Sequence, residues 1–198
     1  GITVDLICDR AWRKEMSAHI AALARELFER GSLTADMTEV IISIMYKGKG
    51  DRDLCKSHRP VSLTDATCRI IDKVIQMALN DAMPHVLCGI NKAFLPGMRI
   101  EDSTLSTAET ARWVHRHGGG AMAQLDLDKA YDRCHLSFLR RVLQAMRFPP
   151  AFIGVIDTLY KECWCRLKVN GHVGDPFKQA NGLRQGLPSS CPLWLVYI

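Results

Sequence analysis

The chain has 198 residues, 47% of them hydrophobic and 24% charged, the profile of an ordinary folded protein. A net charge of +5 permits a nucleic-acid partner without requiring one. No apolar run reaches the roughly 18 residues of a membrane span, and no signal-peptide pattern occurs, so no membrane partner is expected. Eight cysteines lie scattered without a pairing rhythm and without a Cys-x-x-Cys, and read as reduced thiols of an intracellular protein. Cys163 and Cys165 are expected to face opposite sides of a strand. The chain starts at Gly1 and stops inside the apolar run Leu193–Ile198, as a piece of a longer protein would.

Trp12, Met16, Ile20, Leu23 and Leu27 recur at helical spacing, with Gly31 placed to cap the helix. Residues Glu39–Tyr46 are rich in β-branched side chains and short enough for a strand. The loop Lys47-Gly-Lys-Gly-Asp51 turns it over. Such a basic loop either grips phosphates through lysines and backbone N–H groups or is solvated surface. His58–Leu63 leads to Asp65, a candidate N-cap, followed by an apolar stripe from Ile70 to Leu79 that Pro84 is expected to end. A weaker helix runs from about Asp102 to His115.

The stretch Ala121–Asp132 is the centre of the chain. Ala123, Leu125 and Leu127 alternate with Gln124, Asp126 and Asp128, the period of a half-buried strand. A carboxylate at such a strand end suits Mg²⁺, which favours one or two carboxylates plus substrate phosphates. The other reading is a strand end carrying solvated acids. His117-Gly-Gly-Gly120 precedes it, but without a Gly-x-Ser-x-Gly elbow it supports no hydrolase. Beyond it, Leu136–Met146 and Phe152–Leu159 are helical. Asn170-Gly171 signals a hairpin whose second strand runs toward Phe177, and Ser189 or Ser190 can cap a last helix.

Six motifs, in order, resemble the reverse transcriptases of non-LTR (LINE-like) retrotransposons. They are Ile44–Gly50, His58–Leu63, Ala93–Gly97 with Ile100 and Asp102, Leu125–Asp132, Val169–Gly171 and Leu183–Pro188. The resemblance implies an α+β right-hand polymerase, with fingers at about 38–118 and 133–184 and palm at about 119–132 and 185–198. Residues 1–37 would form a helical extension ahead of a partial domain at 38–198. It also implies Asp126 as the catalytic aspartate, with the Leu127 carbonyl as a second metal ligand. Tyr131 would gate against a 2′-hydroxyl, Gln185 would contact the sugar side of the nucleotide, and Arg59 with Lys47 or Lys49 would hold its triphosphate. The implied cofactor is Mg²⁺, as two ions in the whole enzyme; the implied partners are an RNA template, a DNA primer and dNTP.

Met98 and Asn91 stand where the family usually has arginine and glutamine, and Ser189, Cys191 and Pro192 interrupt its usual apolar helix start. The family's Tyr-x-Asp-Asp motif does not occur in these 198 residues, and it and the thumb are expected farther along a longer chain. Residues 1–198 alone are therefore expected to be inactive. A non-catalytic nucleic-acid-binding remnant is the alternative. An RNA-dependent RNA polymerase is disfavoured by bulky Tyr131, since such an enzyme must admit the 2′-hydroxyl.

Overall fold

The computed structural model describes residues 9–198 except 88–92, 96 and 162, and leaves the side chains of residues 35 and 36 aside. The departure noted at Asn91 therefore lies outside the described residues. Helix α1 spans Arg10–Arg30, opened by Asp9, whose carboxylate accepts from the Trp12 N–H at 2.9 Å. It closes on Gly31 in the left-handed conformation, φ 62°, as the sequence anticipates. A short turn α2 (Ala35–Thr38) leads into β1 (Glu39–Tyr46), and β2 is His58–Leu63. Helix α3 (Ala66–Val86) begins at Asp65, which accepts from the Thr67 and Cys68 N–H groups. It continues two residues past Pro84. The stop comes later than expected because Pro84 stands in the last turn, where the lost N–H bond and the crowding of the carbonyl four residues back disturb only the helix end.

Helix α4 (Ile100–Arg116), α5 (Leu136–Ala145) and α6 (Pro150–Lys161) precede the hairpin of β3 (Trp164–Val169) and β4 (His172–Lys178), and α7 (Ser190–Tyr197) follows. The hairpin turns on Asn170 (φ 50°) and Gly171 (φ 85°), both in the left-handed region that an Asn-Gly pair tolerates.

The fold is α+β. One four-stranded sheet has the order β2-β1-β3-β4. β1 pairs antiparallel with β2 and parallel with β3, so the chain between β1 and β3 carries α3 to α6 as a crossover. Beside the sheet, α1, α3, α5, α6 and α7 close on one apolar core that includes Leu27, Ile71, Ile75, Leu79, Leu139, Leu143, Leu159 and Leu193. Leu143 is fully buried, so Leu143→Ala is expected to cost about 2–5 kcal/mol. A urea midpoint unmoved by that substitution would deny this helix cluster its place as the core.

Two expectations are overturned. Residues 119–127 form no strand, and Leu125 is 88% exposed. A strand needs a neighbour to complete its backbone ladder, and among the described residues none runs beside this segment. Alternation alone marks which face a strand would bury, not whether a partner exists. Cys163 and Cys165 also do not face apart. Their sulfurs lie 3.6 Å from each other, both residues buried, because residues two apart along extended backbone share a face. The hydrogen bond between them draws the Cys163 thiol below its ordinary value, against the effect of burial and with the charge of Arg184 nearby adding to the fall.

Candidate nucleotide site

Strand β2 carries Arg59, exposed and opposite Met45 of β1. Three residues on, roughly 10 Å along the strand, the Ser62 N–H donates to the Gln185 carbonyl at 2.8 Å. The free edge of β2 is thus covered by the Leu183–Pro188 turn, which holds Gln185 beside the sheet. Gly186 makes that approach possible. Its φ is +143°, and a Cβ built on it would lie 2.4 Å from the Ser62 carbonyl oxygen. Only glycine takes that backbone conformation at that distance.

The same turn reaches across to the Tyr131 region. The Leu183 N–H donates to the Tyr131 carbonyl at 2.8 Å, and the Gly182 N–H to the Cys134 carbonyl at 2.8 Å. The Gln185 side-chain amide donates to the Asp132 carboxylate at 3.1 Å. Tyr131 is half-buried, with its ring centroid 5.8 Å from that of Trp194 on α7 and its hydroxyl donating to Cys191 Sγ at 3.4 Å. Burial, helped by Cys191, raises its phenol far above the ordinary tyrosine range, so it stays protonated.

Tyr131 and Gln185, distant in sequence, are therefore brought together at one turn, while Arg59 stands three residues along β2 from the point where that turn attaches. The two lysines are less closely tied to it. Lys47 donates its ammonium to the Lys56 carbonyl at 2.7 Å, and Lys49 is exposed on the β1–β2 loop.

Asp126 and Leu127 lie in the irregular segment before Tyr131, both exposed. Of the three neighbouring aspartates, Asp128 pairs with Arg133 at 3.1 Å and Asp132 accepts from Gln185. Asp126 alone presents a carboxylate engaged with no described neighbour. Among the described residues no three histidine, cysteine or acidic side chains group closely enough to hold a metal ion. An exposed carboxylate beside a backbone carbonyl, at Asp126 and Leu127, would suit one Mg²⁺ whose remaining ligands came from a substrate's phosphates. Among the described residues the segment offers one such unengaged carboxylate, fewer than two ions would need.

Behind the turn is a buried polar network that periodicity did not reveal. Asp72 and Ser189 are both fully buried. The Asp72 carboxylate accepts from the Ser189 N–H at 2.7 Å and from the Ser189 hydroxyl at 2.6 Å. Burial raises the Asp72 carboxyl above the usual range, while those two bonds and the charge of Arg184 act against the rise. Arg184, 1% exposed, donates to the Leu159 carbonyl and sits over the Tyr160 ring at 5.4 Å. One signal was available: Asp72 lies four residues after Cys68 and three before Ile75, on the buried face of α3.

A family model described as "Reverse transcriptase (RNA-dependent DNA polymerase)" matches residues 47–198, which takes in β2, the Tyr131 turn and the Gln185 turn together. The chain belongs to the reverse transcriptase family. The reverse transcriptase domain is also similar to a Xenopus laevis protein, "Transposon TX1 uncharacterized 149 kDa protein". The two are 32% identical over 174 residues, covering 87% of this chain and 13% of that protein. A second relative is the Drosophila melanogaster "Retrovirus-related Pol polyprotein from type-2 retrotransposable element R2DM". It is 25% identical over 136 residues, 67% of this chain and 12% of the relative. The chain spans about one eighth of the length of these curated relatives. Both printed names denote mobile elements, in keeping with the non-LTR resemblance of the motifs. Among the described residues no helix is long and apolar enough to cross a membrane.

Proposed function

We propose that this domain supplies the fingers and the first part of the palm of an RNA-directed DNA polymerase that copies the RNA of a mobile element. In this reading the fingers take about 38–118 and 133–184, and the palm about 119–132 and 185–198. Arg59, with Lys47 or Lys49, meets the triphosphate of the incoming nucleotide; arginine suits it because its planar fork is always charged. Gln185 and Tyr131 meet the sugar, and Asp126 holds Mg²⁺ with the Leu127 carbonyl. The template is RNA, the primer DNA and the substrate dNTP.

The observation that carries the reading is the double attachment of the Gln185 turn. Its main chain bonds to Ser62 on the strand of Arg59 and to Tyr131, so three groups suited to one nucleotide share one rigid support. Nucleotidyl transfer asks mainly for positioning and charge from the protein, which such a support provides.

Tyr131 provides the test. In the polymerase that carries this domain, Tyr131→Val is expected to raise ribonucleotide incorporation relative to deoxyribonucleotide by about tenfold or more. Selectivity and melting temperature are measured on the same variant. A destabilised variant that still rejects ribonucleotides would return Tyr131 to the core, where its contact with Trp194 already places one face.

A further inference from the structure

Asp72 is a buried acid on a helix that carries none of the proposed nucleotide contacts. Removing a carboxylate from water is costly, and apolar replacements of buried ions are often neutral or stabilising. Its partners suggest what it does instead. Both serines at the start of α7 are diverted from capping that helix. The Ser189 side chain makes no cap bond and turns to Asp72, and the Ser190 hydroxyl donates to the Arg184 carbonyl at 2.7 Å. The Tyr160 hydroxyl lies 3.3 Å from the Ser190 hydroxyl. Arg184 places its guanidinium in the same interior, with Nε and Nη1 lacking hydrogen-bond partners, and its charge opposes the rise at Asp72. The residues on both sides of Gln185-Gly-Leu-Pro188 are thereby pinned from the core, and Gln185, half-buried, lies between them.

We infer that Asp72 is a positioning residue which, through Ser189, sets the Leu183–Pro188 turn and so the place of Gln185 at the nucleotide. The inference rests on the proposed nucleotide role of Gln185. Two bonds to one serine fix both the height and the rotation of the turn's C-terminal end. The Ser62 bond fixes its outer edge, and Arg184 its N-terminal end. With Asp72 disengaged, the turn keeps its sequence but loses the anchor that presents the Gln185 amide at a constant angle.

The test uses the polymerase that carries this domain, with an RNA template, a DNA primer and a single dNTP, reading KM for dNTP and kcat separately. Ser189→Ala keeps the backbone donor and is the mild variant; Asp72→Asn keeps the shape and removes the charge. Both are expected to raise KM for dNTP by about tenfold while kcat stays within about threefold. Ser189→Thr, which retains the hydroxyl, is expected to restore KM. In a Gln185→Ala background, Ser189→Ala is expected to add less than about twofold, because residues acting as one unit are not additive. A raised KM in Gln185→Ala with an unmoved KM in Ser189→Ala would overturn the inference alone. So would a Ser189→Ala effect that is undiminished in the Gln185→Ala background, or one confined to kcat and melting temperature. A flat KM in Gln185→Ala itself would overturn the nucleotide role of Gln185 and the inference with it.

Discussion

Asp126→Asn is expected to abolish nucleotide addition by the polymerase that carries this domain, by about a thousandfold or more, with template–primer binding nearly intact. The side chain is exposed, so exchanging an oxygen for an amide nitrogen disturbs no packing. The change removes the one negative charge of the segment that no described neighbour engages, and Mg²⁺ takes carboxylates in preference to neutral amides. A metal bound at the reacting phosphates contributes several kcal/mol of charge stabilisation, and each 1.36 kcal/mol is a factor of ten in rate. Asp128→Asn is the built-in control. Its ion pair with Arg133 is formed by side chains 71% and 70% exposed, where such pairs contribute about 0–1 kcal/mol. It is expected to leave the rate within about threefold. Primer extension by purified variants decides the matter: Asp126→Asn activity within about tenfold of the parent would remove this residue from the site. An equal loss in Asp128→Asn would mean that the neighbouring acid holds the metal.

What the sequence made legible followed from local rules. The helix from Trp12 to Leu27 with its Gly31 cap, the strand Glu39–Tyr46, the Asp65 cap and the Asn170-Gly171 hairpin each depend on residues within a few positions of one another, and each is present. The segment around Asp126 failed as a strand because a strand is completed by a partner elsewhere, which alternation cannot report. Asp72 was missed for the opposite reason. An aspartate ordinarily reads as solvated surface, yet the position of this one on the α3 stripe puts it inside. A charge on an apolar stripe asks what satisfies it, and the answer, Ser189, stands 117 residues away. Tyr131 and Gln185 were legible as motif residues, but their closeness was not. It depends on main-chain bonds from Leu183 and Ser62, and backbone donors leave no mark in side-chain identity.

Gly186→Ala is expected to cost both stability and nucleotide affinity, and the reason is backbone geometry. At φ +143° an L-residue is strained wherever it stands, and here the added Cβ would meet the Ser62 carbonyl oxygen at 2.4 Å and its carbon at 3.4 Å. Ser62 cannot give way readily, because β2 is held in register with β1 by the pairing of Ser62 with Ile42. The turn must therefore lift from the strand, losing the Ser62 N–H to Gln185 carbonyl bond. Strain and a lost hydrogen bond together amount to about 2–4 kcal/mol. Displacing the turn also moves the Gln185 amide, so KM for dNTP is expected to rise by about tenfold or more. Gly171→Ala separates these effects. Gly171 also has positive φ, +85°, but no atom lies within 4 Å of its Cβ position. It is expected to cost about 1 kcal/mol of strain with KM unchanged. Denaturant midpoints and single-nucleotide kinetics on the pair provide the comparison. If Gly186→Ala matched Gly171→Ala in both measurements, the contact between the turn and β2 would have no part in holding the nucleotide.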